Sequence, residues 1–418
     1  MKPVYIVSWL FALAISFVSC DDWLDKTPKD RLYPDVYFKT EDELRLFTNQ
    51  FYNNLVPSAV DIDSESSDLI VKSDLMLEMS GQRIIPDEGN GWNFTALRDI
   101  NFYLQYSHNC TEVNARNRYD GVARFFRAYF YFEKVKRYGD IPWYDKALDS
   151  DDPELYKARD SREFVMQKML EDLDFAIANL PKTKNAYVLT RWTALALKSR
   201  VCLFEGTFRK YHGLEDCEKY LNACVSASET FMNESGYTLY KSGSTPYRDL
   251  FASINLQADE VIFGRDYEAS LSVLHNVQNY ENSTTMGRPG MNKKIVNSYL
   301  MADGSRFTDK AGYETMTFDQ ECQNRDPRLA QTIRTPGYTR IGSTKKEAPN
   351  LAYTMTGYHL IKYSMTANYD EYNKSCNDIP LFRTAEVYLN FAEAKAELGT
   401  LKQADINKSI KLLSLHYS

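Results

Sequence analysis

Histidine, paired cysteine and excess basic charge are all scarce in this sequence. The five histidines fall at 108, 212, 275, 359 and 416, none in an HExxH pattern or four residues from another. A histidine-built metal centre has no visible ligand set. The seven cysteines (20, 110, 202, 217, 224, 322 and 376) include no CxxC pair, so a zinc ribbon or dithiol redox site is not indicated. Lys plus Arg number 50 against 57 Asp plus Glu, for a net charge of −7. A chain of that balance lacks the basic footprint that nucleic acid requires. GxSxG, GxGxxG and phosphate-loop patterns are absent too. The carboxylates are plentiful, but no spacing singles out a glycosidase pair. The acidic run DIDSESSD (61–68) does not match a calcium loop and reads as a solvated acidic loop. These shortages point away from catalysis, and no metal or cofactor is expected.

Long apolar runs are missing as well, with one exception at the start. Val4 to Val18 is apolar except for two serines, follows Lys2, and ends at Ser19-Cys20 before the acidic Asp21-Asp22. That length suits a secretory signal better than a membrane span. The stretch resembles a bacterial lipobox, in which the cysteine becomes the lipidated N-terminus. Residues 1–19 are therefore expected to be a lipoprotein signal peptide, and 20–40 a lipidated Cys20 with a Pro-containing tether.

Helical periodicity and aromatic side chains, by contrast, are abundant: 30 Tyr, 22 Phe and 5 Trp. TEDELRLFTNQFYNNL predicts a helix with Thr40 as N-cap and Glu43 closing a capping box. RYDGVARFFRAYFYFEKVKRYGDIPW carries the strongest helical signal, with Val122, Phe125, Phe126, Tyr129 and Phe130 on its apolar face, and it stops at Gly139 and Pro142. Further helices are predicted from Ser161 to Leu180, from a Thr190 cap to Gly206, and over 214–232. Short connections between them predict antiparallel helix pairs stacked as a degenerate repeat array. From about 236 to 375 periodicity fades into Gly, Ser, Asn, Thr and Tyr, with short β-like pieces at DEVIFGRDY and GYHLIKY. A helix is predicted again in IPLFRTAEVYLNFAEAKAELG, followed by another in ADINKSIKLL.

Five segments, in order, resemble the SusD/RagB family of outer-membrane lipoproteins. They are the cysteine followed by DDWLDKTP; RFFRAYFYFEKVKRYGDIPW; LTRWTALALKSRVCLFEG; MADGSRF with RDPRL downstream; and IPLFRTAEVYLNFAEAKAELG leading into ADIN. The resemblance implies a mostly α fold, a tetratricopeptide-like helical-repeat scaffold with an irregular loop-rich region packed against it. A SusD-like domain is expected over 41–418, with helical repeats at about 41–232 and 379–418 and the ligand region at about 236–375. The family pattern continues past ADIN, so the C-terminus reads as truncated. The implied function is non-enzymatic capture of oligosaccharides, or of peptides in the RagB branch, at the cell surface. Delivery to a SusC-type TonB-dependent transporter is implied with it. A helical scaffold binding only protein partners is the remaining class.

A sugar offers an apolar C–H face and a rim of hydroxyls, so its site needs exposed flat aromatics and planar polar side chains. Trp92 is the leading candidate, because a large indole in the glycine-rich DEGNGW loop is hard to bury. Asn93, Arg83 and Asp74 lie near it in sequence. A second group, Tyr267, Tyr280, Asn282 and Arg288, comes from RDYEASLSVLHNVQNYENSTTMGRPG, which resembles the family's other ligand-contributing segment.

Overall fold

The computed structural model describes residues 36–59, 68–86, 89 and 91–416. The signal expectation, the tether up to residue 35 with Cys20, and positions 61–67 of the acidic run lie outside the described residues; of the expected tether, residues 36–40 are described, and Phe38 is buried against Phe47 and Tyr103. Seven helices of twelve or more residues dominate the described residues. They are α1 (Glu41–Leu55), α2 (Thr95–Tyr106), α3 (Val113–Tyr138), α4 (Arg162–Asn179), α5 (Arg191–Tyr211), α6 (Cys217–Glu234) and α7 (Thr384–Glu397). The expected mostly helical, repeat-like scaffold is what forms.

Local chemistry sets the helix starts. The Thr40 hydroxyl accepts the Glu43 amide at 3.3 Å, and the Glu43 carboxylate accepts the Thr40 amide at 3.0 Å, which completes the capping box of α1. Thr190 and Thr193 form a capping box at α5 too, while Ser161 caps α4 one way, its hydroxyl accepting the Phe164 amide. Each helix then packs on its successor: α3 on α4, α4 on α5, and α5 on α6, while α1 and α2 both lie against α3. The central helix α3 therefore carries the largest core, with Phe125, Phe126, Tyr131, Phe132 and Val135 buried.

Two expectations need correction. Gly206 does not end α5, which continues to Tyr211. A Cβ at that glycine would stand 2.7 Å from Cγ of Leu221, so its bare backbone is what lets α6 approach. IPLFR is not helical either. It forms β4 (Ile379–Arg383), antiparallel to β2 (Val261–Arg265), with Val261 opposite Arg383 and Arg265 opposite Ile379. The DEVIFGRDY piece is thus a strand as read, whereas GYHLIKY makes only isolated bridges at His359 and Leu360. A second short pair joins β1 (Ile70–Val71) to β3 (Gly290–Met291).

The β2–β4 pair hands the chain back to the scaffold. Glu260, fully buried, accepts from the Arg383 guanidinium at 2.7 Å and through its carbonyl from the Thr384 hydroxyl at 2.9 Å. From there α7 lies against α5 and α6. Arg200 of α5 grips the Glu386 carboxylate with two bonds, of 2.5 and 2.6 Å. Between α6 and β4 the chain is mostly turns and short helices, with its own small core around Val296, Leu329, Ile333 and Tyr358.

Candidate functional site

A cavity of about 510 Å³ opens between the start of α2 and the segment 142–159 that follows α3. Trp92 stands at its mouth and is 40% exposed. The loop carrying it is held from below. The Lys134 ammonium donates to the Gly91 carbonyl, and Gly91 itself has φ +84°, with Tyr138 Oη only 3.3 Å from where a Cβ would lie. A left-handed backbone in so tight a space calls for glycine. Burial, and then Arg137, depresses the Lys134 pKa. The indole is propped edge-on by Tyr138 at 4.9 Å and Phe94 at 5.3 Å, and the Arg159 guanidinium lies 4.9 Å from its ring centre.

The far wall is a loop tied to the scaffold by a buried polar chain. Asp172 of α4 accepts Nε and Nη2 of Arg127 at 2.7 and 2.8 Å. Arg127 Nη1 donates to Asn101 Oδ1 at 3.2 Å. The Asn101 amide in turn donates to the carbonyls of Tyr144, at 2.8 Å, and Lys146, at 3.3 Å. Tyr131 adds a second tie, since its hydroxyl accepts the Tyr144 amide at 2.7 Å and donates to the Pro142 carbonyl at 3.2 Å. These bonds carry Tyr144, Lys146 and Leu148 into the cavity wall opposite Trp92. An aromatic face, a polar rim and a wall fixed by buried hydrogen bonds are the features that small-molecule pockets share.

Asn93 follows Trp92 but does not line the cavity; its Oδ1 accepts the Thr95 amide at 2.8 Å, starting α2. Asp74 and Arg83 are exposed on the preceding segment and do not line the cavity. Neither do Tyr267, Tyr280, Asn282 and Arg288. The Tyr267 hydroxyl accepts the Ala59 amide at 2.8 Å. Asn282 is buried; its Oδ1 accepts from Arg334 at 2.9 Å and Arg340 at 3.3 Å, and its amide donates to Ser364 at 3.0 Å. The Arg288 guanidinium donates to the Leu351 carbonyl at 2.7 Å. Lysines 146 and 157 with Arg98, Tyr144 and Arg159 escaped the sequence reading. Lys146, Lys157 and Arg159 stand in plain view in the loop after the GDIPW stop, but nothing in that loop's sequence ties it to α2.

Tyr280 instead lines a second cavity of about 450 Å³ together with Tyr247, Tyr299, Tyr363 and Glu281. Glu281 is buried, and its carboxylate accepts from the Ser364 hydroxyl at 2.8 Å and the Tyr363 amide at 3.2 Å. Burial pushes its pKa from 4.5 up to about 7, against the pull of these bonds and of Arg248 and Arg340. The unfolded chain releases this proton near pH 4.5 and the folded chain keeps it to about pH 7, so this group lowers stability as pH rises through that window. At about 1.4 kcal/mol per pKa unit the full cost above pH 7 is on the order of 3 kcal/mol. Glu281→Gln should therefore raise the denaturation midpoint at pH 8 and leave it nearly unchanged at pH 4.5. Equal shifts at both pH values in a denaturant titration would refute a titrating carboxyl.

Residues 250–413 match the model of the SusD family, and residues 85–191 match a second model, described as starch-binding associating with outer membrane. The two segments together span roughly two thirds of the chain and include Trp92 and the walls of its cavity. The chain belongs to the SusD/RagB family. Among curated relatives, the SusD-like protein P2 of Formosa agariphila is 25% identical over 416 residues, covering 93% of this chain and 76% of that protein. Among solved structures, a SusD-like protein from Bacteroides fragilis superposes with a TM-score of 0.74 at 21% identity, over 94% of this chain and 81% of its own. A SusD-like carbohydrate binding protein from the same species gives 0.71 at 18% identity, over 91% and 80%. The resemblance of these SusD-like structures to this one is of fold. SusD-like proteins are binding proteins of an outer-membrane-associated type. Among the described residues no helix is long and apolar enough to cross a membrane.

Proposed function

We propose that this SusD/RagB protein captures oligosaccharides at the cell surface, anchored to the outer membrane through a lipidated Cys20, and delivers them to a SusC-type TonB-dependent transporter. The observation that carries the reading is the half-exposed Trp92 indole at the mouth of a preformed cavity rimmed by hydrogen-bond donors. An indole face suits the C–H face of a pyranose, and Arg98, Lys146, Lys157 and Arg159 surround it with polar atoms for the hydroxyl rim. The work asked of the site is binding, with no bond made or broken. Names of relatives support the same reading, since one structural neighbour is called carbohydrate binding and one family model starch-binding.

The direct check is a titration of intrinsic tryptophan fluorescence with oligosaccharides and with short peptides. A saturable change with one class of oligosaccharide and none with peptides is the expected outcome. Saturation by peptides alone would move the protein to the peptide-capturing class. A response to neither, with a protein partner recovered regardless of added sugar, would leave a scaffold role.

A further inference from the structure

Among the described residues, the side chains lining the Trp92 cavity include four cations, Arg98, Lys146, Lys157 and Arg159, and no carboxylate. In a chain of net charge −7 that is a local reversal of sign. Three of the four lean on acids outside the lining: Lys146 on Glu154 at 2.9 Å, Lys157 on Asp160 at 2.9 Å and Arg98 on Asp149 at 3.8 Å. Glu154 and Asp149 are solvent-facing, with side-chain exposures of 48 and 85%, and Lys146 also reaches Asp152 at 3.7 Å; Asp160 is part-buried at 29% and also accepts the Trp143 amide at 2.7 Å, so the Lys157 pair is the more firmly held. The exposed pairs with Glu154 and Asp149 contribute little and are readily exchanged for a better anion. Arg159 differs, because among the described residues no carboxylate stands within ion-pair distance of it. Its exposed guanidinium lies 4.9 Å from the centre of the Trp92 ring and, among the described residues, donates one hydrogen bond, to the Asp140 carbonyl at 3.5 Å.

We propose that the saccharide taken by this cavity is acidic, bearing a carboxylate or a sulfate ester on the ring that rests against Trp92. The inference rests on the glycan-binding reading above and deepens it. A planar guanidinium fork matches either anion with two parallel bonds, and lysines supply point charges to whichever oxygens remain. Cations gathered in a concave wall also focus the field and raise the local concentration of an anionic ligand. A neutral sugar would use the indole equally well but would leave Arg159 without a counter-charge.

The test is a panel of acidic oligosaccharides, uronate-bearing and sulfated, each paired with its neutral form made by carboxyl reduction or by desulfation. Affinities are measured calorimetrically at low and at 0.5 M salt. At least one acidic member should bind about tenfold or more tightly than its neutral form, a preference that shrinks at high salt. Whether that member carries carboxylate or sulfate identifies the source of the charge. In the double variant Lys157→Gln/Arg159→Gln the acid-to-neutral ratio should fall towards one. Binding restricted to neutral members, or acid and neutral forms bound within twofold of each other, would overturn the inference and leave glycan capture standing. No binding to any member would overturn glycan capture itself.

Discussion

Asp172→Ala should cost about 3–5 kcal/mol of folding free energy, the largest single-residue effect expected in this protein. The carboxylate is 2% exposed and carries both strong bonds of Arg127. Deleting it strands a guanidinium among Asn101, Tyr131 and the Trp143 ring, where water does not reach it. The same lesion should weaken ligand binding, because Arg127 positions Asn101 and Asn101 holds the backbone of Tyr144 and Lys146 in the cavity wall. Two measurements check this: the free energy from a denaturant titration, and oligosaccharide affinity at a temperature where the variant is still folded. A double change of Arg127 and Asp172 to apolar residues of similar volume should cost less than the single one, since no charge is left unmatched. A loss under about 1 kcal/mol for Asp172→Ala would show that the pair is solvated and that the wall is held some other way.

Trp92→Ala should reduce oligosaccharide affinity by about thirtyfold, corresponding to about 2 kcal/mol for a central aromatic anchor. Stability should change little, because the ring is 40% exposed and its contacts with Phe94 and Tyr138 are edge-on at the surface. Far-ultraviolet circular dichroism and the denaturation midpoint should match the parent, which separates a binding defect from a folding one. Trp92→Phe, retaining a smaller ring, should fall between the two. Full affinity in the alanine variant would relocate the ligand, with the tyrosine-lined cavity around Tyr280 and Tyr299 as the next place to look.

The scaffold was legible because its signals are local. A capping box needs only Thr40 and Glu43, and the apolar face of α3 repeats within twenty-six residues. The failures arose where a distant partner decides. IPLFR turned into a strand because residues 261–265 offered it an antiparallel neighbour. Gly206 continued a helix because Leu221 needed its empty side. At the site, Trp92 could be picked out since flanking glycines give an indole nothing to hide behind. The cations opposite could not, as nothing between residues 146 and 159 announces that this loop folds against α2. Asn282 and Tyr267 show the converse difficulty. Loops rich in Asn and Tyr look alike in sequence whether their side chains face a cavity or, as these two do, bond to protein groups such as the Ala59 amide, Arg334 and Ser364.

The return of α7 to α5 and α6 also sets a timetable for biosynthesis. When residue 234 has been made, the surfaces that will receive Phe391 and Glu386 are still bare. About 150 further residues must be polymerised before α7 exists to cover them. At roughly 5–20 residues per second that wait is on the order of ten to thirty seconds. Until α7 docks, the faces of α5 and α6 that it covers stay open.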